Sequence, residues 1–550
     1  MPYYEIFNQY DKPESMPVHD SLLSREDQLR VINKRMRFDV AIVGGGIHGA
    51  TLARLAAFNG LRVVLLERGD YACETSGSSS KMAHGGLRYL ELLDFKQVRE
   101  GVVAREELLS AAPHLVKAQP FIIPVFKGQW FLKHKLSAGL WLYDRFMKKR
   151  SYNHTWLSKN QVPWTQLCGW RERLNGAYQY HDGIMDDFRL VLETIHAARH
   201  EGAFCLNHSE VQEVKRHIGS VMSISWKDLQ SGQDHECHAG VVVNCAGPWA
   251  PHIAKMANSS LFSKVRYSRG SHLIFRTPWQ APAICLPLKG RGRYYFVWPH
   301  PAGTMVGTTE REVERPESTP LPHADEIDEL LDRVQKDLPG SGLDRSTLFW
   351  TFAGIRTLPV RSIRKGTAVL SRRHSWIYEN GILSLIGGKF TTAGWTCQEG
   401  LDLIYGLAEQ SSKPAHLRGR PLPGSIELES ESKLFLQRAL QAGVPGATAE
   451  GALRRHGARV RNFTEADPGL KLVAGTFLEA EIDWLLQHSQ AENFTDLARR
   501  LQLESVEDYG LTALPELVKT AERARPQIAW ADQTQRYSDR VTAVKQLLGI

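Results

Sequence analysis

The sequence predicts an α/β fold in which a parallel sheet is joined by an antiparallel sheet and followed by a helical region. A buried strand, a small-residue helix and a second buried strand run through residues 38–70. Further along, "RGSHLIF", "YYFVWPH" and "TMVGTTE" alternate in the manner of antiparallel strands. Near the end of the chain, "KLFLQRALQAG", "LEAEIDWLLQH" and "LPELVKTAERA" have helical periodicity.

The length, net charge and cysteine content of the chain limit the classes of function that it can have. The chain has 550 residues and is therefore expected to form more than one domain. Its formal net charge of +8 fits an anionic substrate or an anionic membrane surface. The basic residues form no single long stripe, so we expect no nucleic-acid partner. Seven cysteines without a CxxC pair indicate neither a disulfide framework nor a metal site.

The elements follow in order from a polar N-terminal extension, residues 1–37, in which Ser24 is predicted to cap a short helix. "FDVAIVGGG" is the first buried strand, "GATLARLAAFNG" the helix and "RVVLLERGD" the second strand. "SEVQEV" and "GVVVNCAGPWA" are predicted as strands at the edge of the same nucleotide-binding sheet. No signal-peptide layout and no run of about 18 apolar residues occurs, which predicts a cytoplasmic protein that does not span a membrane.

The glycines after the first strand match the GxGxxG pattern of dinucleotide-binding turns. Gly44 allows the tight turn, Gly46 lets the backbone approach a pyrophosphate, and Gly49 lets helix and strand pack closely. The helix N-terminus offers N–H groups to phosphates. Glu67 ends the second strand, where an acid accepts hydrogen bonds from a ribose. The position near the N-terminus and the polar loop that follows the second strand favour FAD over NAD.

That polar loop reads "SSSKMAHGGLRYL" from Ser78 to Leu90. His84 and the glycine pair Gly85-Gly86 are predicted to lie near the flavin ring, where a larger side chain would obstruct close approach. The hydrogen-bonding residues predicted to contact phosphate and the flavin edge are Ser78, Ser79, Ser80 and Lys81.

In these motifs the sequence resembles the FAD-dependent glycerol-3-phosphate dehydrogenases, including the mitochondrial type and the related oxidases. The resemblance covers roughly residues 24–405 and continues more weakly beyond them. Its landmarks occur in one order: "SREDQL", "FDVAIVGGGIHGA", "SSSKMAHGGLRYL", "EELLSAAPHL", "YHDGIMDDFRL", "VVNCAGPWA", "RGSHLIF", "MVGTTE", "FAGIRTL", "SRRH" and "LIGGKFTT".

The resemblance implies a Rossmann-like FAD-binding domain of the D-amino-acid-oxidase (GR2) type with an antiparallel substrate-binding sheet. The FAD-dependent oxidoreductase unit would span residues 38–410, followed by a linker and a C-terminal all-helical domain. The implied segments are 38–110, 186–250 and 351–410 for FAD, 111–185 and 251–350 for substrate, 411–432 for the linker and 433–550 for the helical domain.

The same resemblance implies the site residues. Val211 would meet the adenine through its backbone, Gly247 would lie against the cofactor, and Gly387-Gly388-Lys389 with Thr391 would run under the flavin ring. Arginine and lysine suit a phosphomonoester, because burying a dianion requires several charge-assisted donors. The implied pocket residues are Arg88, Tyr89, His272, Thr308, Thr309, Arg356, Arg372 and Lys389.

The implied reaction is oxidation of the C2 alcohol of sn-glycerol 3-phosphate to dihydroxyacetone phosphate, with hydride passing to the flavin N5. Arg356 and Lys389 would hold the phosphate and stabilise the developing alkoxide. His84 and His272 are both candidates for the base, because a neutral imidazole suits that role near pH 7. Either histidine could instead be a core residue that orients the loop.

The family's dehydrogenases pass electrons to membrane quinone and its oxidases pass them to oxygen. Residues 126–150, "FKGQWFLKHKLSAGLWLYDRFMKKR", mix aromatic and basic side chains as an interfacial helix on anionic lipid does. A core helix with a basic solvent face is the alternative. We therefore predict a quinone-linked enzyme attached peripherally to the inner face of the cytoplasmic membrane; a homodimer is left open.

Some positions depart from the family pattern. Glu310 replaces an expected Asp, and Thr357 stands where Pro is usual. These departures leave open a dehydrogenase of another phosphorylated polyol, or an oxidase that uses oxygen. Two rival classes also remain: an amine or amino-acid oxidase on the same fold, and a flavoprotein without catalytic activity.

Overall fold

The first buried strand, Arg37–Val43, lies in the interior of a sheet because both of its faces are apolar. Val40 and Ile42 belong to one apolar cluster, whereas Ala41 and Val43 belong to a second cluster on the opposite face. A strand buried on both faces must have covering layers on each side of its sheet. This strand therefore sets a layered α/β architecture.

The computed structural model describes residues 23–34, 37–87, 89, 94–147, 152–162, 167–217, 221–288, 294–360, 374–409, 413–467 and 469–550. Its strands are β1 Arg37–Val43, β2 Val63–Leu66, β3 Met82–Ala83, β4 Val116–Phe126, β5 Thr155–Ser158, β6 Leu174–Met185, β7 Phe204–Leu206, β8 Ser209–Arg216, β9 Met222–Asp228, β10 Asp234–Asn244, β11 Val265–Phe275, β12 Ala283–Pro287, β13 Tyr294–His300, β14 Gly303–Gly307, β15 Arg311–Val313, β16 Leu348–Pro359, β17 Ser375–Glu379, β18 Ile382–Ile386, β19 Leu472–Val473 and β20 Phe477–Leu478.

The α-helices of the same residues are α1 Arg25–Asn33, α2 Ile47–Phe58, α3 Phe95–Ala111, α4 Trp130–Asp144, α5 Asp187–His200, α6 Ala250–Met256, α7 Ala324–Asp337, α8 Ala393–Leu407, α9 Leu428–Gln441, α10 Gly446–His456, α11 Val460–Ala466, α12 Glu479–His488, α13 Phe494–Leu501, α14 Leu514–Ala524 and α15 Trp530–Leu548. Ser24 caps α1 as predicted: its side chain accepts a hydrogen bond from the backbone N–H of Asp27. None of the helices among the described residues is both long enough and apolar enough to cross a bilayer.

The first sheet has the order β17-β18-β10-β1-β2-β7, and β9 and β8 extend it from β10. The pairs from β18 to β7 are parallel. The predicted edge position of "GVVVN" is wrong, because this segment of β10 pairs with β1 and β18 in the interior. Its residues 239–245 are all buried, and such a run must be covered on both faces. "SEVQEV" does lie at an edge, since β8 pairs only with β9.

The second sheet has the order β15-β11-β14-β13-β12-β4-β6-β3, with β16 added to β11 and β5 to β6. The predicted antiparallel strands "RGSHLIF", "YYFVWPH" and "TMVGTTE" are confirmed in β11, β13 and β14, which pair antiparallel. The long strands β6 and β16 carry Asp182 and Arg356, respectively, to the region between the two sheets.

The C-terminal region is helical as predicted, apart from the small hairpin of β19 and β20. Helix α9 begins at Leu428, inside the predicted linker. Much of the region shares one apolar cluster with the second sheet. Phe349 and Tyr509 stack with ring centroids 4.7 Å apart, and the Tyr509 hydroxyl donates to the Phe349 carbonyl. The helices therefore share much of their core with the sheet; the domain boundaries themselves stay a prediction.

A buried ion pair also joins the helical region to the first sheet. Asp70, just after β2, accepts two hydrogen bonds from Arg500, each 2.9 Å long. Arg499 donates to the same carboxylate at 2.8 Å and to the carbonyl of Ala72 at 3.0 Å. The α13 arginines thereby fix the backbone that follows β2.

Removing Arg500 should destabilise the protein, because the buried Asp70 carboxylate then loses its two-pronged partner. We expect Arg500→Met to cost about 3 kcal/mol and to lower the thermal midpoint by several degrees. Arg523→Met is the matched control, because Arg523 pairs with Glu479 on the surface and is 56% exposed. Differential scanning fluorimetry gives both midpoints. Equal losses in the two variants would contradict the structural importance of the buried pair.

Candidate active site

A cavity of about 400 Å³ lies where the two sheets meet. The carboxyl ends of β1, β2 and β10 form one side, as is usual for ligand sites in open α/β sheets. The polar loop after β2 and residues of β16 form the other sides. Of the predicted cofactor-binding residues, those lining the cavity are Gly44, Gly46, Glu67, Ser78, Ser79, Ser80, Val211, Gly247, Gly388 and Thr391.

The glycine turn after β1 is as tight as the fingerprint predicts. A methyl group on Gly44, whose φ is +110°, would lie 2.6 Å from the carbonyl oxygen of Cys245. A methyl group on Gly49 would lie 1.9 Å from the carbonyl oxygen of Gly44. Gly49 thus allows helix and turn to pack, as predicted, and does not itself line the cavity. The backbone of Gly46 remains open towards the cavity.

Glu67 reaches the cavity from the end of β2, but its oxygens are already engaged. They accept hydrogen bonds from the backbone N–H groups of Gly45, at 2.5 Å, and Gly69, at 2.8 Å. Burial raises the pKa of Glu67, and these two donors oppose that increase. Glu67 therefore holds the fingerprint turn in place, and its predicted contact with a ribose stays a prediction.

His48 Nε2 and Thr357 Oγ1 are buried in the cavity wall without a hydrogen-bond partner among the described residues. Burial of such atoms is costly unless a ligand or water satisfies them. Burial lowers the pKa of His48 to about 4, with a contribution from His374, so the imidazole is neutral. The cavity, its open glycine backbone and these atoms fit a bound FAD. His48 was missed, although its place inside "GGGIHGA" pointed to the site.

Lys81 is not among the residues that line the cavity, and its predicted contact with the cofactor stays a prediction. Its ammonium group forms an ion pair with Asp187, with Nζ 2.5 Å from Oδ1. Asp187 is fully buried and also accepts hydrogen bonds from the N–H and hydroxyl of Ser79. A buried carboxylate needs a cationic partner, so Lys81 turns away from the cavity towards α5.

The two candidate histidines have different positions. His84 lines the cavity, and its backbone N–H donates to Thr391 Oγ1 at 3.3 Å. His272 lies behind the wall, stacked on Phe352, and its Nε2 is 2.9 Å from the Ser80 hydroxyl. Burial, Arg356 and Lys81 hold the pKa of His272 well below its ordinary value. In this geometry His272 does not reach the cavity to contact a substrate directly. It instead holds the Ser80 hydroxyl in place by a hydrogen bond.

The predicted substrate residues that line the cavity are Tyr89, Thr308, Thr309, Arg356 and Lys389. Arg356 donates to the Thr308 hydroxyl at 3.3 Å. The ammonium of Lys389 lies 3.9 Å from the centre of the Tyr89 ring. These contacts place two cationic groups in the cavity that also contains the glycine turn. Arg88 and Arg372 fall outside the described residues.

Comparison with known proteins identifies the family. Residues 39–399 match the family described as DAO, FAD dependent oxidoreductase. The chain belongs to this family of FAD-dependent enzymes. The predicted fold class, cofactor and resemblance are thereby confirmed.

Individual relatives extend the match beyond the family segment. The chain is 31% identical to a glycerol-3-phosphate dehydrogenase of Pseudomonas aeruginosa, over 84% of this chain and 91% of that one. It is 29% identical to a D-erythritol 1-phosphate dehydrogenase of Brucella abortus, over 84% and 93% of the two chains. The fold is similar to that of the glycerol-3-phosphate dehydrogenase from Bacillus halodurans complexed with FAD, with a TM-score of 0.74, 19% identity and coverage of 95% and 97%.

A methyl group at Gly46 should weaken FAD binding, because it would lie 2.9 Å from the Ser76 hydroxyl oxygen and displace the turn that faces the cavity. We expect Gly46→Ala to raise the dissociation constant of FAD about 30-fold, which corresponds to about 2 kcal/mol. Titration of the apoprotein with FAD, followed by flavin fluorescence, measures it. Gly394→Ala is the control, since no atom lies within 4 Å of its added methyl position. Equal FAD affinities in the two variants would contradict this assignment.

Proposed function

We propose that this enzyme oxidises sn-glycerol 3-phosphate to dihydroxyacetone phosphate. The observation that carries the proposal is the joint placement of Arg356 and Lys389 in the cavity lined by the dinucleotide turn. An amino acid offers a single carboxylate, whereas a phosphomonoester carries nearly two negative charges and matches two cationic side chains. The names of the relatives from Pseudomonas aeruginosa and Bacillus halodurans support the same substrate.

The chain's own residues have separate roles in this reaction. Arg356 and Lys389 bind the phosphate, and Thr308 orients the Arg356 guanidinium. His84 removes the proton of the C2 hydroxyl as the C2–H bond breaks. FAD would be held by the cavity residues Gly46, Val211 and Thr391, and it would supply the hydride acceptor for C2. The substrate therefore loses one proton to His84 and one hydride to the cofactor, which balances its oxidation to the ketone.

The name of one relative suggests a second candidate substrate for this enzyme. The Brucella abortus protein is named a D-erythritol 1-phosphate dehydrogenase, and it is 29% identical to this chain over 480 residues. Both substrates are phosphorylated polyols, so the same cationic pair would bind either phosphate. They differ in chain length, and the apolar and aromatic side chains of the cavity wall would discriminate between them.

Anaerobic reduction of the flavin tests the substrate. We expect sn-glycerol 3-phosphate to bleach the flavin band, and Arg356→Gln to raise the apparent dissociation constant of the substrate about 100-fold, because a charged hydrogen bond to phosphate is lost. Arg266→Gln is the control, since Arg266 lies exposed on β11 and pairs with Glu312. Bleaching by D-erythritol 1-phosphate alone would select the second substrate. Bleaching by amino acids and not by either phosphate would overturn the proposal.

We further propose that α4 attaches the enzyme peripherally to an anionic membrane and that quinone is the electron acceptor. Trp130, Phe131 and Trp141 are 70%, 69% and 59% exposed. The exposed basic residues Lys127, Lys135 and Arg145 lie among them in the sequence. We call these six residues the aromatic-basic surface. Aromatic rings at the headgroup level together with lysine and arginine are typical of interfacial helices.

The helix is not a core helix, because Leu140 and Tyr143 are its only residues that are fully buried. Leu140 is fully buried and therefore contributes nothing to the exposed face. Lys148, Lys149 and Arg150 fall outside the described residues. Attachment here would bring the enzyme to the lipid phase in which quinones dissolve, and we propose the inner face of the cytoplasmic membrane as its location.

Vesicle co-sedimentation tests the attachment. We expect the wild-type enzyme to bind vesicles of phosphatidylglycerol and phosphatidylcholine. The combined variant Trp130→Ser, Phe131→Ser, Trp141→Ser should lose at least about tenfold in vesicle affinity. The matched control combines Leu440→Ser and Ile426→Ser, which replace apolar residues that are 80% and 54% exposed elsewhere. Equal binding by both variants would rule out the aromatic-basic surface as the attachment site.

A further inference from the structure

A buried polar cluster lies beside the loop that carries His84, and its central residue also lines the cavity. Its centre is Asp182 on β6, whose Oδ1 accepts three hydrogen bonds. The Gly85 N–H donates at 2.9 Å, the Tyr143 hydroxyl of α4 at 2.6 Å and the Arg105 guanidinium of α3 at 2.9 Å. Arg105, Asp182 and Tyr143, which we call the Asp182 cluster, are 1%, 2% and 0% exposed.

The cluster holds Gly85 by contact as well as by hydrogen bonds. A methyl group on Gly85 would lie 2.1 Å from the Tyr143 hydroxyl oxygen. On the α3 side, a methyl group on Gly101 would lie 2.7 Å from the Gly85 carbonyl oxygen. The Gly85 backbone is therefore enclosed by α3, α4 and β6, and its amide has one fixed direction.

The position of Gly85 determines that of its neighbour. His84 lines the cavity one residue earlier, and its own N–H donates to the Thr391 hydroxyl. Its backbone is thus held by Thr391 on one side and by the Asp182 cluster on the other. Buried ion pairs contribute little net stability compared with well-packed apolar residues. The proton transfer assigned to His84 requires a fixed distance to the substrate hydroxyl, and the cluster supplies that constraint.

We propose that Asp182 and Tyr143 are positioning residues that set the geometry of His84 and of the flavin-facing loop. Asp182 fixes the Gly85 amide, and the Tyr143 hydroxyl fixes the Asp182 carboxylate while packing on Gly85. The step assigned to His84 rests on the proposed function. The placement of the loop relative to bound FAD does not rest on the proposed function, because FAD is the cofactor of the whole family.

Tyr143→Phe removes one hydroxyl and keeps the ring. We expect the limiting rate constant for anaerobic flavin reduction to fall roughly 10- to 100-fold, because a displaced catalytic group loses reactive geometry. The apparent dissociation constant of sn-glycerol 3-phosphate should change less than about threefold, since Arg356 and Lys389 are untouched. The visible absorption band of bound FAD should shift in the same variant, because the loop is predicted to lie against the ring.

Tyr295→Phe is a closely matched control. The Tyr295 hydroxyl donates to Asp337 at 2.6 Å, so this variant also loses a tyrosine–aspartate hydrogen bond, one that is partly buried. Tyr295 does not line the cavity. We expect it to lower the thermal midpoint about as much as Tyr143→Phe and to leave the flavin band and the reduction rate unchanged. Equal slowing in both variants would overturn the proposal, because it would indicate general loosening.

Variants of the carboxylate provide an independent arm. Asp182→Asn keeps an oxygen that can accept from the Gly85 N–H, whereas Asp182→Ala keeps none. We expect the reduction rate to fall in the order wild type, Asp182→Asn, Asp182→Ala. A wild-type rate and flavin band in Asp182→Asn and in Tyr143→Phe would overturn the proposal. If sn-glycerol 3-phosphate does not reduce the wild-type flavin, the proposed function fails, and the FAD band of the variants still decides the positioning role.

Discussion

The contact between the turn after β1 and the end of β10 is the constraint on which the cavity depends. Gly44 passes so close to the Cys245 carbonyl that only glycine fits there. Gly49 then brings α2 onto the same turn, and Glu67 holds it by accepting the Gly45 N–H. Together these contacts leave the Gly46 backbone facing the space between the sheets. Backbone atoms are available to a cofactor at this turn because side chains are excluded from it.

Two carboxylates from one short segment hold the polar loop on the other side of that space. Asp187 binds Ser79 and Lys81 near the start of the loop, and Asp182 binds Gly85 near its flavin-facing end. Both acids belong to "YHDGIMDDFRL", where β6 ends and α5 begins. A glycine-rich loop has little order of its own. Its shape is therefore set by a distant strand–helix junction, which makes that junction part of the site although little of it lines the cavity.

The fingerprint could be predicted from the sequence because its geometry is local: strand, turn, helix and distal acid lie within thirty residues, and each has a sequence signal. The surroundings of Lys81 and His272 could not be predicted from the sequence, for the opposite reason. The direction of the Lys81 side chain is determined by its ion pair with Asp187, 106 residues away. His272 contacts Ser80, which lies 192 residues away in the sequence. The interior position of β10 likewise depends on its pairing with β1 and β18. Residue type and spacing identify which side chains are near the site, and only the folded structure shows which of them face it.

The helix α4 illustrates how one short element serves two environments. Its outward side chains form the aromatic-basic surface, and its inward Tyr143 belongs to the Asp182 cluster. A helix held by only two fully buried residues would be weakly anchored by apolar packing alone. The hydrogen bond from Tyr143 to a buried carboxylate, itself paired with Arg105, adds a directional anchor that packing lacks. The exposed aromatic residues therefore belong to a helix whose inward side is hydrogen-bonded to the same carboxylate as the loop carrying His84.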